Sequence, residues 1–556
     1  MQVLHFLLLP RVRWVLCWLL LLGWAGATGV GAWIAFNDAD RADGNRGHAT
    51  IDFGGQWLMG RTIVEGQGRH LYLRNYLRIV ARHAYPARTE SPKETKSDAD
   101  SLMEWLAGTD DAKAPEVTAS LLIPLAANDP LDETVALASA QTMWTEEELQ
   151  HVTSPRIGGG LYPPIHALYF APLALLRPPI AYRVMQCLLL ALVFFAGWLA
   201  QRMTEGRVWW PVASLFVLMF PGFAGCITLG QNGMFLLTLV LVGWWQLMRG
   251  REVLAGLCWG MLAFKPVWAV SFFLVPLVTT RWRMAASMAV AGIVQIALTL
   301  PIVGWQSWLN WLQVGGEAVV EYKRQQNWIV LSRDLLGIPR RWLVTFEDGL
   351  AKDLVWTTGN LSTTADGVAE NRWDHLSLEI LGWGLWSAVL AVTLFVAWRR
   401  RQQRKQVTGL FPAFVLSAAV LTCYHFMYYD FLVAGLPVLL LFSEPRRYLQ
   451  WRIPALVPPL LLVLMLAAPG LNSLFDPSFD FPPWETFVLL ILWAWCGYCL
   501  LNPSRDRPGA EPPSLPDGRG SDDLRIKTAQ LAQLGADVGG AHKRLADQHG
   551  ADASRL

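Results

Sequence analysis

Long apolar runs separated by short polar turns dominate the chain. Bilayer-spanning helices need about 20 apolar residues, in a range of roughly 17–25. Nine runs are clear candidates: 14–34, 180–200, 210–228, 233–248, 284–304, 376–398, 408–423, 453–469 and 484–501. Shorter runs cover 253–264, 267–279 and 431–442. The stretch 163–176 is interrupted by Pro163, Pro164 and Pro172.

Lys and Arg flank alternate turns. Arg11 and Arg13 precede the first run, Arg202 and Arg207 follow the next, and Arg249, Arg251, Arg281 and Arg283 mark later ones. Arg399, Arg400, Arg401, Arg404 and Lys405 form the densest cluster, and Arg446, Arg447 and Arg452 complete the set. The turns 229–232, 424–430 and 470–483 carry no Lys or Arg. The positive-inside rule then predicts twelve spans with both termini cytoplasmic. In that topology 163–176 does not cross; its prolines make it a re-entrant or interfacial helix. Segments 37–162 and 305–375 become two large extracytoplasmic loops. The first run is long for the apolar core of a signal peptide and is read as a retained span. The expected fold class is an all-α polytopic membrane protein of the inner or plasma membrane. It has about 12 transmembrane helices plus the short re-entrant helix, in a membrane domain over 1–501. Residues 502–556, rich in Pro, Gly and Asp at first, are expected to be a disordered cytoplasmic tail.

Composition sharpens this picture. Charged residues make up 16% of the chain, against about 25% in soluble domains. A net charge of +2 gives no field that would attract nucleic acid. Many of the 29 Trp sit near the ends of apolar runs, as an interfacial aromatic belt requires. All seven Cys lie in apolar runs, so no disulfide framework is expected; Cys496 and Cys499 form a CxxC without a second pair and read as packing.

Five polar features fall on or near the extracytoplasmic face. Asp52 lies just past the first run, where a carboxylate can be a general base or a helix N-cap. Gly230-Gln231-Asn232-Gly233 is a tight turn that either presents amides to a ligand or simply joins two helices. Lys265, in Phe264-Lys265-Pro266, is an intramembrane cation whose expected partner is an anion such as a lipid phosphate, unless it snorkels. The loop Tyr424 to Asp430 places His425 among aromatics that could contact a sugar or phosphate, or serve as a belt. Tyr162-Pro163-Pro164 opens the short helix, with His166 one turn in, and is read as shaping the backbone. A carboxylate, a cation and aromatics at membrane level suit a lipid-phosphate substrate. They also suit a transporter or flippase of a lipid-linked or small anionic substrate.

An ordered set of these motifs resembles glycosyltransferase family 87 of the GT-C superfamily, the polyprenol-phosphate-mannose-dependent mannosyltransferases. The stretches are Asp52-Phe53…Trp57…Gly60…Gly66…Leu71-Tyr72, Tyr162-Pro163-Pro164-Ile165…Ala171-Pro172-Leu173, Gly230-Gln231-Asn232-Gly233 and Ala255-Gly256-Leu257…Ala263-Phe264-Lys265-Pro266. The resemblance implies transfer of a mannose-like hexose, with inversion, from a polyprenyl-phosphate donor to an extracytoplasmic lipid or glycan acceptor. Asp52 matches the family's catalytic base. Lys265, Gln231, Asn232 and His425 are candidates for the donor phosphate. Trp57, Tyr162 and Trp328 are candidates on the acceptor side. The resemblance implies no metal and no other cofactor. The expected partners are the bilayer, the lipid-linked donor and the acceptor. The 89 residues between Tyr72 and Tyr162 exceed the family's compact loop, so 73–160 reads as an insertion.

Overall fold

The computed structural model describes residues 10–37, 52–73, 76, 77, 80, 161–324, 326–343, 346, 347, 350, 351, 375–442, 459–466 and 483–502. Apart from Asn502 they fall in the unit Met1–Leu501. Most of the 37–162 loop, most of its 73–160 insertion and the tail after 502 lie outside the described residues.

Almost everything described is helical. The first helices are α1 (Pro10–Asn37), α2 (Asp52–Val64), α3 (Pro164–Phe170) and α4 (Pro178–Met203). They are followed by α5 (Trp210–Met219), α6 (Phe223–Leu229), α7 (Gly233–Met248), α8 (Glu252–Gly260) and α9 (Pro266–Val278). Next come α10 (Trp282–Arg324), α11 (Gln326–Leu331) and α12 (Gly337–Leu343). A two-residue antiparallel pair joins Phe346–Glu347 to Leu350–Ala351. Then follow α13 (His375–Arg399), α14 (Leu410–Leu421), a 3-10 turn Tyr428–Ala434 running into α15 (Gly435–Phe442), α16 over 459–466, and α17 (Trp484–Leu501).

The expected count of about twelve spans is not confirmed. Among the described residues, five helices are long and apolar enough to cross a membrane: Arg11–Ile34, Pro178–Met203, Trp282–Gly316, Ser377–Arg399 and Trp484–Leu501. Taking α5 and α6 as one broken span makes six. Five further apolar helices have 10–17 residues. The expected run 453–469 is described only over 459–466, and local chemistry interrupts two others. The run 210–228 bends by 72° at its break, where Pro221 cannot donate and Gly222 adopts φ 93°. Helix α8 tightens into a 3-10 turn, Met261–Phe264, and ends because Lys265, ahead of Pro266, is held at φ −133° and ψ 82°. Large apolar side chains point outward along the spans, with Ile293 64% and Ile380 61% exposed, as lipid-facing positions do.

Part of the second expected loop is helical. Residues 305–324 continue α10 beyond a break at Gly304 (φ 75°, ψ 163°). Trp308, Trp311, Ala318 and Tyr322 recur at helical spacing there, and Trp308 and Ala318 are buried. That periodicity, not loop character, was the signal in the sequence.

The bundle has two chemically distinct ends. At one, Arg281 Nη1 meets Glu252 at 2.9 Å and its Nη2 donates to the Lys405 carbonyl at 2.6 Å. Three of the Arg- and Lys-bearing turns therefore meet. From that end α7 and α8 lead to Gln231 and Lys265, and α14 leads to Tyr424.

Candidate active site

Asp52 opens α2, where the helix dipole favours a carboxylate. Its φ of 57° is left-handed, a conformation that Asp tolerates better than most residues and that clusters at functional sites. Helix α2 is held in place by its small residues. A Cβ on Gly60 would lie 2.7 Å from the Phe170 carbonyl carbon and oxygen of α3.

The turn between α6 and α7 supplies the partner of Asp52. Gly230 caps α6 at φ 62°, and a Cβ there would lie 2.7 Å from Phe53 Cβ, so the turn packs directly on α2. Gln231 Nε2 donates to Asp52 Oδ1 at 2.7 Å. The amide is oriented by Tyr162, whose hydroxyl donates to Gln231 Oε1 at 3.0 Å. Burial, with the negative charges of Asp430 and Asp52, keeps the Tyr162 pKa well above 10.0; the phenol stays a donor.

Behind this pair lies a buried polar network. Gln56 Nε2 donates to the carbonyls of Asp52 (3.1 Å) and Gly230 (3.3 Å). Its Oε1 accepts from Asn232 Nδ2 at 3.2 Å and meets His166 Nε2 at 3.0 Å. His166 is stacked between Tyr162 (4.0 Å) and Phe170 (4.7 Å). Burial first, and the charge of Lys265 second, hold its pKa well below 6.5. The imidazole is neutral and donates through Nε2.

Lys265 stands beside this network with its charge matched. Its Nζ lies 2.6 Å and 2.7 Å from the two oxygens of Asp430, which is 1% exposed, and 3.4 Å from Asn232 Oδ1. Tyr162 and Tyr429 rings flank the ammonium. Asp430 was visible only as the last residue of the aromatic-His loop, and its role there was missed.

These groups border a cavity of about 320 Å³. Asp52, Gln231, Tyr162, Lys265, His425 and Trp328 all line it. His425 Nδ1 faces Asp334 Oδ2 at 3.3 Å, and its ring stacks on Tyr322 at 4.3 Å. Trp328 meets the same Tyr322 edge-on at 4.8 Å. Asn232 is fully buried behind the wall. Trp57 is also set apart: it is 1% exposed, with Nε1 donating to the Leu176 carbonyl at 3.0 Å, and it packs the α2 core. The α11–α12 linker docks against the aromatic-His loop, since Arg333 N donates to the Phe426 carbonyl at 3.0 Å. Asp334 and that linker gave no signal in the sequence. Among the described residues no group of three or more His, Cys, Asp or Glu could hold a metal ion.

The arrangement offers a carboxylate held by the Gln231 amide at the wall of an aromatic-lined cavity. No curated protein and no solved structure gives a significant match. Residues 161–423, which supply Tyr162, Gln231 and Lys265, match the sequence model of glycosyltransferase family 87, a match consistent with a membrane glycosyltransferase.

Proposed function

We propose that the protein transfers a mannose-like hexose from a polyprenyl-phosphate donor to a hydroxyl of an extracytoplasmic lipid or glycan, by the single displacement of GT-C enzymes. Asp52 is the general base. The acceptor oxygen bonds to the anomeric carbon while its proton passes to Asp52. The bond to the phosphate oxygen breaks, and the electron pair leaves with the polyprenyl phosphate. A hydroxyl needs this help because it attacks poorly while it keeps its proton.

The observation carrying this reading is the Gln231–Asp52 hydrogen bond at the cavity wall. It joins the carboxylate to a turn of the family 87 segment and leaves it beside the aromatics that could stack on a sugar. Lys265 and Asn232 then support the wall, while His425 and Trp328 face the substrate.

The test is transfer of label from radiolabelled polyprenyl-phosphate sugars in the presence of native lipid extract. Wild type should form a labelled product. Asp52→Asn should lose at least ~100-fold, the lower range for general base catalysis, with an unchanged gel-filtration profile. Full activity in Asp52→Asn would remove Asp52 from the role.

A further inference from the structure

Other elements that line the cavity carry charges that the proposed chemistry does not use. Lys323 near the end of α10, Arg340 in α12 and Glu379 in α13 all line it. Both cations engage the same carboxylate oxygen, Glu379 Oε1. Trp383 Nε1 donates to Oε2 at 3.2 Å. The Arg340 side chain is 8% exposed, and its Nε has no hydrogen-bond partner among the described residues. Burial lowers the Arg340 pKa, and Glu379 and then Asp334 oppose this. Asp334 itself is engaged by Ser332, by the Gly337 amide at 2.7 Å and by His425.

A phosphate drawn to Lys265 would meet a cation already matched by both oxygens of Asp430, with the carboxylate of Asp52 lining the same cavity. At Lys323 and Arg340 it would meet two cations that share one carboxylate oxygen. An ammonium carries three N–H donors and a guanidinium five, so each retains donors after serving Glu379. A base and a departing phosphate must also lie on opposite sides of the transferred sugar, which calls for a cation centre away from Asp52.

We propose that Lys323 and Arg340 form an anion subsite for a phosphate ester, with Glu379 holding the two cations until the ligand engages them. The ester belongs to the lipid-phosphate donor or to an anionic acceptor lipid, a choice that rests on the proposed function. Binding is read without turnover, so a failed transfer assay and a failed phosphate assay are separate results.

The experiment uses the full chain in nanodiscs, with farnesyl phosphate, lysophosphatidylglycerol and farnesol as probes. Lys323→Gln and Arg340→Gln should weaken farnesyl phosphate binding by about tenfold, the scale of one charged hydrogen bond. Glu379→Gln, which removes the competing charge, should tighten it. Farnesol should not respond. The same opposite signs with lysophosphatidylglycerol, and not with farnesyl phosphate, would assign the subsite to an acceptor lipid. Arg340 is the most buried of the three and its variant is the most apt to unfold; Lys323→Gln and Glu379→Gln then carry the test of sign. Weakening by both of these substitutions, or no change with either phosphate probe, overturns the proposal.

Discussion

Asp430 grips Lys265 with both carboxylate oxygens in a place that water barely reaches. Removing either partner leaves a buried charge alone, a loss of about 3–5 kcal/mol, whereas removing both is often far milder. Lys265→Ala and Asp430→Ala should each lower the melting temperature in detergent more than the double variant does. Equal or additive losses would mean the pair is not coupled. His166 makes a second prediction at this scale. Its folded pKa lies below 6.5, so below pH 6.5 the unfolded chain binds the extra proton and the folded one does not. Its contribution to stability is complete above that pH and is lost as pH falls. His166→Gln should flatten the slope of melting temperature against pH between 6.5 and 5, and an unchanged slope would assign it to other groups. Lys265 and Asp52 were legible as residues, one by its apolar surroundings and one by motif. Their pairing with Asp430 and Gln231 was not. Asp430 lies 165 positions from Lys265, and Gln231 lies 179 from Asp52; no local pattern links residues that only folding brings together.

Helix placement followed hydropathy closely where a run was uninterrupted. Runs 376–398 and 484–501 became His375–Arg399 and Trp484–Leu501. It failed where one glycine redirects the backbone, at Gly222 and Gly304, because hydropathy is blind to φ. Helix contacts depend on small residues as well. Helix α8 lies against α10, and a Cβ on Gly260 would sit 2.7 Å from the Met288 carbonyl oxygen. Gly256 faces Met284 one turn earlier, so the Gly256–Gly260 spacing is a close-approach seam. Gly260→Leu should separate the helices and cost about 1–3 kcal/mol, read as a lowered melting temperature. A neutral Gly260→Leu would show that α8 and α10 can slide apart freely.

Over the whole molecule, the alternation of charged and uncharged turns agrees with how the ends are built. Arg281, Glu252 and Lys405 meet at one end, and Gln231, Lys265 and Asp430 meet around the cavity. Asp52 lies outside the matched stretch 161–423, yet its hydrogen-bond partner lies within it. The piece that carries it is fastened by contacts spread along its length: Asp52 to Gln231, Trp57 to Leu176, Tyr72 to Tyr162 at 2.6 Å, and the Arg69 carbonyl to Ser307 at 3.2 Å. The peptide link between the two pieces is then dispensable once they have met. A gene split within codons 81–160 and expressed as two open reading frames should yield halves that co-purify on a tag carried by one of them. Halves that purify apart would show that tethering, rather than recognition, keeps Asp52 at Gln231.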